Sequence, residues 1–284
     1  MQGIIIDTSS VVVTLNCNLN CKLCNTGVPY RKKPVRFSTE FLKLSIERYF
    51  RTVDFARKFS FTGGEPFLRE DLAELTAFTQ GFDNQFDVLE IVTNGTIMPS
   101  EATLQVFEKF RSNVFILIDE YGDLSVNADK LSNALAERSV NHLVRKYSGA
   151  SIYQNGWVDL TQFKKYNTPE QAKIIYKKCA VPNKLKKISG GYRDVKIDEN
   201  TCFGVYTVLI NGVVYRCMRP FIAMERGIDF NKEHQFVDIV DNNKTTETIR
   251  EEIITMFNLE YPSICEYCPG MCDDSKRYIP AEQA

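Results

Sequence analysis

Three cysteines within one short run, Cys17-Asn18-Leu19-Asn20-Cys21-Lys22-Leu23-Cys24, are the residues best suited to chemistry. At C-x3-C-x2-C spacing their sulfurs can wrap one face of a compact loop. Soft thiolates suit an iron–sulfur cluster. A four-iron cubane held by three local thiolates leaves one iron open for a substrate or cofactor. Zinc is the alternative, but its loops mostly use paired C-x2-C or mixed Cys/His sets. The two histidines, His142 and His234, lie far from this loop in sequence. The other six cysteines are Cys179, Cys202, Cys217, Cys265, Cys268 and Cys272, after a long cysteine-free middle. Without a secretory signal such clusters point to metal binding or chemistry rather than disulfides.

Four further motifs carry polar chemistry. Gly63-Gly64-Glu65-Pro66 joins two glycines, which permit close backbone approach, to a carboxylate that can accept from an ammonium. Thr93-Asn94-Gly95 reads as a turn with polar side chains at a strand end. Asp119, Glu120 and Tyr121 close another apolar run, with Asp119 the candidate catalytic group and Tyr121 a candidate substrate contact. Trp157 and Asp159, in Asn155-Gly156-Trp157-Val158-Asp159, are candidate substrate contacts as well. Plain alternatives stand beside them: surface solvation for the acids and packing for the only tryptophan.

The elements that must position these groups alternate. Apolar runs at 11–15, 59–62, 88–92, 114–118 and 142–147 read as strands, and a sixth falls near 151–153. Amphipathic stretches at 38–57, with Ser38 as N-cap, and at 71–82, 99–111 and 125–138 read as helices. Such alternation predicts parallel strands joined by right-handed crossovers. The expected fold is α/β, a partial (β/α)6 TIM-like barrel whose motifs gather at the carboxyl ends of the strands. A helix starts near Thr168-Pro169-Glu170, and 184–191 reads as a basic loop. Strands at 205–210 and 213–217 flank Asn211-Gly212, a type I′ hairpin signal. A boundary near Cys179 divides a core over 1–178 from a small α+β extension over 179–284.

The three-cysteine loop after the first strand, followed by Gly63-Gly64-Glu65-Pro66 after the second, resembles the radical S-adenosylmethionine (radical SAM) superfamily. The resemblance implies that Cys17, Cys21 and Cys24 hold a [4Fe–4S] cluster whose open iron binds S-adenosyl-L-methionine. It implies that Gly63, Gly64, Glu65 and Pro66 meet the methionine amino group, and that Thr93 and Asn94 meet the ribose and carboxylate. Leu23 stands where the family usually places an aromatic residue near the adenine. Cys202, nine residues, Gly212, four residues and Cys217 resemble the opening of the SPASM/Twitch extension. With Cys265 and Cys268 they would hold one auxiliary [4Fe–4S] cluster, zinc being the alternative. Cys179 and Cys272 are then spare: Cys179 reads equally as a hydrogen-atom donor, a replacement ligand or an inert buried thiol.

The family implies hydrogen-atom abstraction from a substrate carbon, fed by an electron donor such as flavodoxin or ferredoxin. The expected outcome is oxidation or epimerisation. A sugar, nucleotide sugar or aminocyclitol is favoured over a peptide, because the first strand begins almost at once and leaves no room ahead of it for a leader-binding domain. A peptide maturase and a non-catalytic metal scaffold are the alternatives. The net charge is −1, with acids and bases interspersed, so a nucleic-acid partner is not expected. No apolar run approaches the roughly 20 residues of a membrane span, and the expected compartment is the cytoplasm.

Overall fold

A computed structural model describes residues 2–31, 35–149, 152–183 and 197–284. The strands are β1 (Gly3–Thr14), β2 (Phe55–Gly63), β3 (Phe86–Thr93), β4 (Val114–Glu120), β5 (Asn141–Lys146), β6 (Thr201–Ile210), β7 (Val213–Tyr215) and β8 (Phe236–Asp238). The helices are α1 (Thr39–Thr52), α2 (Leu72–Thr79), α3 (Glu101–Lys109), α4 (Ala128–Glu137), α5 (Pro169–Lys178), α6 (Ala180–Asn183), α7 (Arg219–Glu225) and α8 (Thr246–Asn258). All eight strands form one sheet in the order β5-β4-β3-β2-β1-β6-β7-β8. The first six are parallel, and β7 and β8 are antiparallel additions. This is the α/β, partial TIM-like fold.

Alternation along the strands separates two chemistries. On β2, Phe59 and Phe61 are fully buried, Phe59 against Tyr49 and Phe50 of α1 and Phe61 against Phe59. Leu89 and Ile91 pair beside them on β3 and join the same core, which α2, α3, α4 and α8 complete. Each large side chain buried there contributes roughly 1.5–3 kcal/mol. The intervening residues face the opposite side of the sheet. There Lys58 pairs with Glu90 at 3.2 Å, and Ser60 donates to Glu90 at 3.0 Å. The helices start where expected: Ser38 accepts from the Phe41 amide, and Thr168 with Gln171 forms a capping box.

Several boundaries differ from the sequence reading. Helix α1 stops at Thr52, and β2 begins at Phe55 rather than 59, because Phe55 and Ala56 pair with Ile5 and Ile6. Strand β1 extends back to Gly3 for the same reason, its Ile4 pairing with Cys202. The stretch 71–82 divides into α2 and a 3-10 turn over Gln80–Gln85. The expected strand near 151–153 is not formed: a 3-10 turn occupies Tyr153–Asn155, and residue 151 lies outside the described residues. The sixth parallel strand is β6, on the other side of β1. The Asn211-Gly212 hairpin is present with φ of 53° and 75°, and it continues the main sheet. The expected loop at 184–191 also lies outside the described residues. Among the described residues no helix is long and apolar enough to cross a membrane.

Candidate active site and a second thiol pocket

The three-cysteine loop leaves β1 at Thr14 and is clamped from both sides. The Gly64 amide donates to the Thr14 carbonyl, and the Glu65 amide to the Asn16 carbonyl, each at 2.8 Å. This explains the two glycines. A Cβ on Gly63 would lie 2.1 Å from the Thr14 carbonyl oxygen, and one on Gly64 1.9 Å from that of Asn16. Gly63 also has φ +131°, a conformation that favours glycine. In this structure the glycines admit the loop's own backbone. From the other side Asn94 donates to the Asn18 side chain at 3.1 Å, and Asn18 donates to Thr96 at 2.7 Å. The Leu19 amide donates to the Cys17 sulfur at 3.4 Å. Leu23 lies half-buried between Cys21 and Cys24.

Glu65 is fully buried. Its carboxylate accepts from the Phe67 amide (2.9 Å), the Thr93 hydroxyl (2.9 Å) and the Asn94 amide (2.8 Å). Pro66 begins the 3-10 turn that Glu65 caps, so it holds this carboxylate in place. Burial pushes Glu65 up to about 7, against the pull of its three hydrogen bonds. Burial also pushes the Cys17 thiol up to about 11 and raises Cys21. A bound metal charge is what would bring these thiols to thiolates at neutral pH.

At the end of β4, Asp119 is buried and holds Arg145 of β5 in a two-pronged pair at 2.7 Å. Its carboxyl is raised by burial and lowered by that guanidinium. Tyr121 packs edge-on to Trp157 (5.6 Å between ring centres) and against Tyr147 (5.2 Å). Arg145 lies 4.8 Å from the Tyr153 ring centre. The structure thus brings Asp119, Tyr121 and Trp157 together and adds Arg145, Tyr147 and Tyr153. Sequence reasoning missed these three, although Arg145 and Tyr147 end a strand, as the first three motifs do. Asp159 does not join them. Its carboxylate is taken up locally, accepting from the Thr161 amide (2.8 Å) and hydroxyl (2.7 Å).

A second thiol group lies in the carboxyl-terminal part. Cys179, Cys217, Cys265 and Cys268 line one cavity together with Asn25, Leu160, Arg216 and Arg219. Asn25 follows Cys24, so this cavity adjoins the first loop. Backbone amides already point at its sulfurs: Met271 donates to Cys179 and Gly270 to Cys268, both at 3.4 Å. Asn167 donates to the Cys265 carbonyl at 2.8 Å and the Cys268 carbonyl at 2.9 Å, fixing that turn. Burial pushes Cys179 up to about 11 and Cys217 up to about 12.

Two arginines frame the cavity. Arg216 donates to the Met256 and Leu259 carbonyls, and Arg219 to the Gln162 and Tyr267 carbonyls. Both are buried, and burial pushes Arg216 down to about 10. Cys202 stands apart. It sits at the amino end of β6, paired with Ile4 inside the main core, and burial alone raises it to about 11 with no thiol beside it. Cys272 is buried and donates toward the Ile175 carbonyl at 3.9 Å. One cavity thus gathers Cys179 with Cys217, Cys265 and Cys268, and Cys202 lies outside it.

Residues 11–140 match the family model described as the radical SAM superfamily. The GTP 3′,8-cyclase of Campylobacter lari is 31% identical over 105 residues, covering 35% of this chain and 31% of that protein. The 7,8-dihydro-6-hydroxymethylpterin dimethyltransferase of Methanocaldococcus jannaschii is 32% identical over 87 residues, covering 31% of this chain and 17% of that protein. The chain thus spans less than a third of the length of these relatives. The crystal structure of BtrN in complex with AdoMet and 2-DOIA superimposes with a TM-score of 0.52 at 19% identity, over 98% of each chain, which is a likeness of fold. Residues 11–140, just under half of the chain, thus resemble a radical SAM domain. That resemblance implies a [4Fe–4S] cluster and S-adenosylmethionine. The donor set fits them: three thiols on one loop, with a buried carboxylate and polar strand ends joined to it.

Proposed function

We propose that this chain is a radical SAM enzyme that abstracts a hydrogen atom from a carbon of a polar small molecule. The core over 1–178 carries the reaction, and the 179–284 region adds an auxiliary cluster. The observation that carries the reading is the hydrogen-bonded joining of the cysteine loop, Glu65 and Asn94 at three adjacent strand ends. When bound, the cluster and S-adenosylmethionine supply one-electron cleavage to a hydrogen-abstracting radical. Cys17, Cys21 and Cys24 would hold the cluster. Glu65 would give the cofactor's amino group a carboxylate to meet, and Thr93 with Asn94 would orient it. The aromatic group around Arg145 would wall the substrate side and exclude water.

For the auxiliary site the proposed ligands are Cys179, Cys217, Cys265 and Cys268. Buried cations without carboxylate partners need an anion nearby. Arg216 and Arg219 are bonded to carbonyls and a tyrosine. Four cluster-bound thiolates supply that charge. An auxiliary cluster can accept the substrate radical's electron, which favours oxidation over epimerisation. BtrN, the neighbour of full coverage, was crystallised with a small molecule, 2-DOIA, which supports that substrate class over a peptide.

Anaerobic reduction with dithionite and S-adenosylmethionine tests the reading. The reconstituted protein is expected to release 5′-deoxyadenosine, and a Cys17→Ala/Cys21→Ala/Cys24→Ala variant none, with about half the iron. A triple variant that keeps full iron, or an intact protein that releases nothing, overturns it.

A further inference from the structure

The segment from Tyr278 to Ala284 crosses from the aromatic group to the cysteine loop. At one end Trp157 and Tyr278 exchange backbone hydrogen bonds at 3.0 and 2.8 Å. At the other, Gln283 stands opposite Cys21 as in an antiparallel sheet. The Lys22 amide donates to the Glu282 carbonyl and the Ala284 amide to the Asn20 carbonyl, each at 2.7 Å. The Gln283 side chain adds three bonds, one of them from its Nε2 to the Ala281 carbonyl at 2.6 Å. Its Oε1 accepts from the Asn20 amide at 2.7 Å, and its Nε2 donates to the Cys21 sulfur at 3.4 Å. Lys22 and Glu282 form an exposed ion pair above.

We propose that Gln283 is a positioning residue for the loop-borne cluster, its side-chain amide serving as an N–H donor to the Cys21 sulfur. A donor to a cluster sulfur withdraws negative charge and favours the reduced state, so it raises the reduction potential. The backbone bonds on both sides place Gln283, and its own bonds to the Asn20 amide and the Ala281 carbonyl hold the amide, which cannot swing away without breaking them. The strap also ties the wall of the substrate side, through Trp157, to the cluster loop.

This inference rests on the radical SAM reading of Cys17, Cys21 and Cys24. The test is a potentiometric titration of the reconstituted full chain by electron paramagnetic resonance. It follows the reduced signal whose shape changes when S-adenosylmethionine is added, which separates it from any second cluster. Gln283→Met keeps the length and the backbone bridge and removes the donor. At a fixed potential the reduced-to-oxidised ratio is expected to fall about tenfold, a shift of about 59 mV for one electron. Gln283→Glu puts an acceptor beside the sulfur and is expected to shift it further the same way. Glu282→Gln, which only weakens the exposed ion pair, should leave the potential in place. Should a variant assemble less cluster, the assembled fraction still titrates and gives the answer. A Gln283→Met potential equal to wild type overturns the proposal. If the cluster reading itself fails, the wild type shows no S-adenosylmethionine-responsive signal.

Discussion

At the carboxyl end of β1, three cysteines come from one eight-residue loop. In the second pocket, four come from the end of α5, the strand-end turn after β7, and the Cys265–Cys268 turn. The first site owes its spacing to the local chain, and its neighbours Gly63, Gly64 and Asn94 only lock it. The second exists only once α5, the hairpin and the Cys265 turn have packed. Its supports are also different in kind. Glu65 and Asp119 give the first region buried acids, whereas Arg216 and Arg219 give the second buried cations. An acid beside the first site suits a cationic partner; cations beside the second suit a permanently anionic group.

The largest effect that separates the sites should come from Cys179. Cys179→Ala is expected to lose about four irons of roughly eight, one cluster's worth. 5′-deoxyadenosine formation should persist, because the first loop is untouched. Cys202→Ala should keep all the iron and cost about 1 kcal/mol in thermal unfolding, as a small core truncation does. Iron and sulfide assays with a melting curve check both. The reverse pattern, iron lost at Cys202 and kept at Cys179, would show that the pocket is not a ligand set.

That pair also shows how far the sequence could be read. The C-x3-C-x2-C loop was legible because its geometry is local and the motifs that clamp it end successive strands. Most strands and all four early helices of the core were legible from period and caps. The place of Cys202 was not: its distance from Gly212 and Cys217 suggests a ligand spacing, but β6 runs from Thr201 to Ile210 and sets Cys202 at the far end of the strand, in the main core. In the set proposed above Cys179 takes that place, and it meets the Cys265–Met271 region across a sequence gap no spacing rule spans. The sixth parallel strand was misplaced for a like reason, since pairing to β1 rather than β5 is a tertiary choice. Asp159 looked like a strand-end acid, but Thr161 two residues on captures it.

A second prediction sharpens the contrast in charge. Glu65→Gln is expected to keep full iron and weaken S-adenosylmethionine binding tenfold or more, the loss of one charge-assisted contact of roughly 1.5–3 kcal/mol. The wild-type affinity should also depend on pH. With the carboxyl held at about 7, a cationic partner must displace a proton below that value. Binding then weakens by up to about tenfold per pH unit below 7 and levels off above it. Without cofactor, the raised carboxyl favours the fold below its ordinary value of 4.5, and that contribution is lost as pH climbs to about 7. Equilibrium dialysis from pH 6 to 8 checks the slope. A flat profile in the wild type, or the same slope in Glu65→Gln, would remove Glu65 from the binding role.

The smallest expected effect tests to which region the 157–167 segment belongs. Trp157 faces Tyr121 in the first region, while Val158 and Leu160 pack with Cys268 and Met271 beside the second. Asp159 lies between them and holds the turn through its two bonds to Thr161. If that turn serves the second pocket by seating Leu160, Asp159→Ala removes a local support there and nothing at the first site. The cost should be about 1 kcal/mol, the net worth of a partly exposed hydrogen-bonded turn. For a chain of this size that lowers the melting temperature by about 2–4 °C. Iron at the second site should become easier to remove with a chelator, while S-adenosylmethionine affinity and 5′-deoxyadenosine yield stay at wild-type values. Asp159→Asn keeps the accepting oxygen and should restore most of the loss. A fall in cofactor cleavage or substrate turnover with unchanged chelator resistance would instead place Asp159 with Trp157, at the substrate side.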